Sequence, residues 1–162
     1  MAGLTTKKVM VRRFDRETLP GFVSTQTFLQ PHGIELMRPD GTLAQLGYHE
    51  VQWVSFVRDF DDSLQPENKV FLTRPKMEGL WVRLTFRNEE VMEGILPNNL
   101  LLVESFGFTI TPPEPYSNHQ RVFIPRQALT EMQVLGVVGS PLRGAKRKGK
   151  PAPDQGNLFE SS

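Results

Sequence analysis

Catalysis needs titratable and nucleophilic side chains that converge, and this chain supplies them sparsely. Its three histidines, His32, His49 and His119, stand among turn-forming residues with no carboxylate or second histidine at ligand spacing. That pattern predicts solvated loop side chains rather than general bases or metal ligands. Asp59, Asp61 and Asp62 are close enough in sequence to hold a cation, yet the glycine and terminal glutamate of a calcium loop are missing, so an acidic linker is expected. No nucleophile elbow, phosphate loop or dinucleotide fingerprint occurs, and Gly136-Val137-Val138-Gly139 reads as a strand end. The expectation is a protein that is not an enzyme, with no catalytic residue, no cofactor and no metal.

Binding chemistry is better represented. Arg12, Arg13 and Arg16 crowd the opening strand, where they would either contact an anionic partner or guard an exposed edge against aggregation. Arg126 stands in a loop of the second half, and Lys146, Arg147, Lys148 and Lys150 cluster near the end of the chain. Tyr48 and Tyr116 lie among turn residues and are expected at the surface, while Trp53, Phe56, Trp81 and Phe86 fall in short alternating strands and are expected in a core. The arginines, the tail cations and Tyr48 together form the candidate nucleic-acid contact set. The charge distribution argues against a general phosphate binder. The formal net charge is +1, and the segment between the basic opening and the basic tail is acidic, with nine basic against fourteen acidic residues.

The elements that must position these residues are written twice. Val9-Met10-Val11-Arg12-Arg13-Phe14, a polar turn and Leu19-Pro20-Gly21-Phe22 are echoed by Trp81-Val82-Arg83-Leu84-Thr85-Phe86, a similar turn and Val91-Met92-Glu93-Gly94-Ile95. Gly33-Ile34-Glu35-Leu36 is echoed by Gly107-Phe108-Thr109-Ile110, and the run ending Val51 to Val57 by Leu129 to Leu135. Alternation of period two favours strands, and a glycine inside a strand marks a bend that curls the sheet. The expected fold is all-β, with two small five-stranded units packed together because about 60 residues bury too little surface alone. The first unit spans 7–60, a linker 61–79, the second unit 80–139, and a disordered basic tail 140–162. Within the linker, Val70-Phe71-Leu72 is a candidate edge strand. Without cysteine there are no disulfides, and without an apolar leader or a membrane-length apolar run the chain is expected to be soluble and cytoplasmic.

Val82 to Phe86 through Gly94 resembles the first Sm motif, and Arg121-Val122-Phe123-Ile124-Pro125-Arg126 the second, so each unit looks like an Sm-like barrel. The whole resembles an uncharacterised bacterial family of tandem Sm-like units, which implies the fold and leaves the activity open. The Asp and Asn and the Arg-Gly pair of RNA-binding Sm proteins are absent, since the loops read Val103-Glu104-Ser105 and Arg126-Gln127. Arg12 and Arg16 also resemble the RxxxR motif of PilZ cyclic-dinucleotide receptors, whose second motif has no counterpart before Gly33. Gln155-Gly156-Asn157-Leu158-Phe159 is similar to the Q-x-x-L-F peptide with which bacterial replication and repair proteins dock on the sliding clamp. These resemblances imply a binding or adaptor module whose tail engages a protein partner through Gln155, Leu158 and Phe159. The alternatives are RNA or DNA binding and, behind it, a PilZ-like receptor.

Overall fold

Short runs of β-branched and aromatic residues, broken by Gly, Pro, Asn and Asp, form strands joined by tight turns. The computed structural model describes residues 5–60, 70–99, 101, 104–113 and 118–139. Among them the first half supplies β1 (Thr6–Arg13), β2 (Thr18–Ser24), β3 (Leu29–Gln30), β4 (Gly33–Met37), β5 (Leu43–Leu46) and β6 (Val51–Val57). The second half supplies β7 (Gly79–Phe86), β8 (Val91–Leu96), β9 (Gly107–Ile110), β10 (His119–Pro125) and β11 (Leu129–Val138), with a 3-10 turn at Arg126–Ala128.

Pairing is antiparallel, and one plan serves both halves. In the first, the order is β6-β1-β2-β4-β5, with the short β3 beside β4. In the second, β11-β7-β8 continues to β9-β10 through reciprocal backbone bonds between Ile95 and Thr111, at 2.9 and 3.0 Å. β10 then pairs with β6, so a single eight-stranded curled sheet runs from the first half into the second.

Close approaches that only glycine permits make the curl. A Cβ on Gly21 would lie 2.6 Å from the Leu36 side chain, and one on Gly94 would lie 2.9 Å from Ile110 Cβ. A Cβ on Gly33 would strike the Leu46 carbonyl oxygen, and one on Gly107 the Ile124 carbonyl oxygen. β2 therefore bends under β4 as β8 bends under β9, and β4 starts against β5 as β9 starts against β10, at corresponding glycines.

Two apolar clusters fill the halves, and each borrows from the other. The first gathers Val9, Val11, Val23, Phe28, Ile34, Leu36, Val51 and Val54 and takes in Phe123 of β10; the second gathers Val82, Leu84, Phe86, Met92, Ile110 and Ile124 and takes in Trp53 of β6. Burying one such aromatic ring contributes up to about 3 kcal/mol, so the seam adds substantially to folding.

Three expectations are corrected by this arrangement. Val70-Phe71-Leu72 forms no strand: Phe71 packs edge-on against Trp81, and its backbone N–H donates to Glu93 at 3.1 Å. The second-half strand, predicted from the sequence over Val91 to Val103, ends at Leu96. The last strand, predicted from its alternation over Met132 to Val138, starts three residues earlier at Leu129, and the 3-10 turn delivers the chain directly into it. The proposed tail, 140–162, lies outside the described residues.

Candidate binding cleft

The seam between the halves opens into a cleft of about 250 Å³ lined by Lys7, Thr25, Phe28, Phe56, Glu104, Thr109, Gln120 and Arg121. β1 brings Lys7, β6 brings Phe56, β9 brings Thr109, and β10 brings Gln120 and Arg121. Phe28 is fixed by edge-on contacts with Phe56 and Phe123, at ring distances of 6.0 and 5.9 Å. On the rim, the Thr109 hydroxyl donates to Glu104 at 3.0 Å. Among the described residues neither Lys7 nor Arg121 has an ion-pair partner. An apolar floor with two cations, an amide and a carboxylate at its rim suits a small apolar group that carries an anionic or hydrogen-bonding end.

None of the arginines singled out from the sequence reaches this cleft. Arg13 faces three carboxylates, Glu50 at 3.0 Å, Glu17 at 3.1 Å and Asp15 at 3.7 Å. Arg16 pairs with Glu90 across the halves, and Gln52 donates to the same carboxylate at 2.7 Å. Arg12 is half-buried opposite Trp53 and Thr18, with no hydrogen-bond partner for its Nε among the described residues. Arg126 is exposed, its guanidinium 4.7 Å above the Phe108 ring. The structure thus scatters these four side chains rather than gathering them into one patch. Lys146, Arg147, Lys148, Lys150, Gln155, Leu158 and Phe159 lie outside the described residues.

Tyr48, expected at the surface, is instead buried at 6 % exposure. Its ring stacks on Phe106 at 5.1 Å, and its hydroxyl donates to the Gln30 carbonyl at 2.6 Å. Burial, helped by the nearby Glu104 carboxylate, raises its pKa above the ordinary 10.0. The phenol is therefore a structural plug, unavailable for stacking on a base. His119, expected in a solvated loop, opens β10 and is buried against Trp53. The other two histidines, His32 and His49, are exposed as expected.

Ser55 and His119 Nδ1 lie 2.6 Å apart, the contact a nucleophile makes with its base. Ser55 is fully buried and His119 only 3 % exposed, so no substrate reaches the hydroxyl and the pair satisfies polar groups inside the seam. A second cluster missed from the sequence centres on Glu93, 3 % exposed on β8. Its carboxylate accepts from the Phe71 backbone, from the Trp81 indole at 3.1 Å, and from Arg83 Nε and Nη2 at 3.2 and 3.1 Å. Four donors compensate its burial and pin the segment after residue 69 onto the sheet. The clue was available: Arg83 and Glu93 oppose each other once β7 and β8 form a hairpin. Among the described residues no group of three or more His, Asp or Glu side chains could hold a metal, and no helix is long and apolar enough to cross a membrane.

A family model matches residues 5–136, and the chain belongs to that family, a family of unknown function (DUF6982). No curated protein and no solved structure matches the chain.

Proposed function

We propose that this member of the family is a non-catalytic binding protein, an adaptor built on two small Sm-like barrels in tandem. Supporting the barrel reading is the strand order shared by the halves, with the last strand of each beside its first and a glycine bend in its second. The observation that carries the adaptor reading is the neutralisation of Arg13 and Arg16. Three carboxylates surround Arg13, and Glu90 holds Arg16, so these two arginines offer little unpaired charge to a phosphate backbone, and Arg12 is half-buried. The recognition element of the adaptor is the peptide carrying Gln155, Leu158 and Phe159, which offers adjacent apolar anchors to a protein groove, that of a bacterial sliding clamp.

Nucleic-acid binding is the competing reading, favoured by exposed Arg126 and by Lys7 and Arg121, which lack ion-pair partners among the described residues. Calorimetry of the full chain against purified clamp, beside mobility shifts with single-stranded RNA and duplex DNA at several salt concentrations, separates the two. The adaptor reading expects clamp binding that disappears in the Leu158→Ala, Phe159→Ala double variant. Absence of clamp binding, together with nucleic-acid binding that weakens on Arg126→Ala, would replace it with the competitor.

A further inference from the structure

Phe56 is the one residue of β6 left half-buried; the rest of that strand is buried. The register shows where its ring emerges. Val9, Phe56 and Arg121 stand abreast on β1, β6 and β10, and Lys7, two residues before Val9, shares its face of β1. The ring therefore opens into the seam cleft with a cation on either side. Phe28 meets it edge-on at 6.0 Å and completes an apolar floor. Elsewhere on the surface Arg13, Arg16 and Arg83 are each met by a carboxylate. Among the described residues the side chains of Lys7 and Arg121 have no such partner.

The backbone of β10 is irregular at the same place. His119 pairs with Val57 and Arg121 with Phe56, so Gln120 is an extra residue, a bulge in the strand. Consecutive strand residues ordinarily point to opposite faces, yet here Gln120 and Arg121 both line the cleft. The bulge thus adds an amide to the two cations. We propose that this cleft is a ligand site for a small aromatic monocarboxylate. Its ring lies on Phe28 and Phe56, and its carboxylate is held by the Arg121 fork with Lys7 and the Gln120 amide beside it.

Each part of that chemistry answers a feature of the cleft. A guanidinium presents parallel N–H groups that match a carboxylate, and an aromatic ring packs on the edges and faces of phenylalanines. The volume, about 250 Å³, lies below the range of roughly 300 Å³ and upward that drug-sized ligands fill, so one ring on a short chain suffices. Glu104 sets the charge. One of its oxygens accepts from the Thr109 hydroxyl at 3.0 Å, and its carboxylate at the rim disfavours a second negative charge on the ligand, hence phosphate monoesters and polyanions. Lys7, Phe28 and Phe56 come from the first half, Glu104, Gln120 and Arg121 from the second, so the ligand bridges the seam and stabilises the folded chain. None of these groups belongs to the peptide around Leu158 and Phe159, so this site and clamp docking stand or fall separately.

Calorimetry of the full-length chain with benzoate, phenylacetate, hydrocinnamate and indoleacetate tests the site. At least one of these acids should bind with a dissociation constant below about 1 mM, and its neutral amide about tenfold more weakly, the loss expected when a charge-assisted hydrogen bond goes. Arg121→Ala should weaken the acid about tenfold and Lys7→Ala about threefold, with circular dichroism unchanged in both. Glu104→Gln should tighten it, and Arg38→Ala, which removes an exposed cation outside the cleft, should leave it as it was. In a magnetic-resonance titration the amides of Phe56 and Arg121, one from each half, should shift together. No binding by any of the acids at millimolar concentration, equal binding of acid and amide, or full affinity in Arg121→Ala overturns the proposal, as does tighter binding of a nucleoside monophosphate than of every acid.

Discussion

The turn from Arg13 to Thr18 and the turn from Phe86 to Val91 are the same piece of backbone carrying different chemistry. In the first, Arg13 N–H donates to the Glu17 carbonyl, Arg16 N–H to the Arg13 carbonyl and Glu17 N–H to the Asp15 side chain, with Arg16 at φ 78°. In the second, Phe86 N–H donates to the Glu90 carbonyl, Glu89 N–H to the Phe86 carbonyl and Glu90 N–H to the Asn88 side chain, with Glu89 at φ 73°. An Asx residue and a left-handed residue set the path, and the charges are free to vary. The variation is used, because the turns meet. Arg16 of one pairs with Glu90 of the other, and Arg87 lies 3.9 Å over the Phe14 ring while donating to the His49 carbonyl. Equivalent backbones with opposite charges can bind each other where identical ones would repel.

If the halves are equivalent, their glycines should fail alike. Gly107→Ala and Gly33→Ala each drive a methyl into a backbone carbonyl that cannot rotate away, and each should cost about 3 kcal/mol, the upper end of overpacking, in urea denaturation. A large loss at one and none at the other would break the equivalence.

The next effect belongs to one half only. Glu93→Ala strands the Trp81 indole and the Phe71 N–H and should cost about 2 kcal/mol, with Trp81 fluorescence moving toward that of solvent-exposed indole. Pro20 occupies the corresponding place in the first half, where no such carboxylate exists to remove.

Tyr48→Phe removes the bond to Gln30 and should cost about 1 kcal/mol. It also removes a pH dependence. The folded pKa lies above 10.0, so the unfolded phenol ionises first, and wild-type stability should fall as pH rises past 10.0 toward the folded value. Denaturation midpoints across that range should show a shallower decline in Tyr48→Phe. The smallest effect separates the two turns: Glu89→Gly should gain up to about 1 kcal/mol by relieving a left-handed side chain, whereas Arg16→Gly gains less because it sacrifices the pair with Glu90.

Much of this architecture is visible in the sequence, because glycines and turn residues act locally. Gly21 and Gly94 mark corresponding bends, and the alternation around them predicts strands. The alignment of the opening strands slips by one residue, however. Matching Phe14 to Phe86 places Val9 against Trp81, whereas the turn hydrogen bonds make Arg13 the counterpart of Phe86 and Val9 that of Val82. Backbone geometry sets register, and shared aromatic identity is a poor guide to it. Tyr48 reads as exposed because its neighbours are turn formers, yet the seam needs a ring to stack on Phe106. The β6·β10 pairing is hidden for a different reason: apolar patterning shows which face of a strand is buried, but not whose edge lies beside it. Only the near-continuous burial of Val51 to Val57 hints at a strand covered on both sides.

One sheet passes through both halves at β6 and β10, and interproton contacts measured by nuclear magnetic resonance on the full chain report that pairing. Cross-strand contacts should link Ser55 with Val122 and Val54 with Phe123, together with slowly exchanging amides along the whole of β6. Contacts confined to β1 on that strand, with every second β6 amide exchanging as freely as on an open edge, would contradict it.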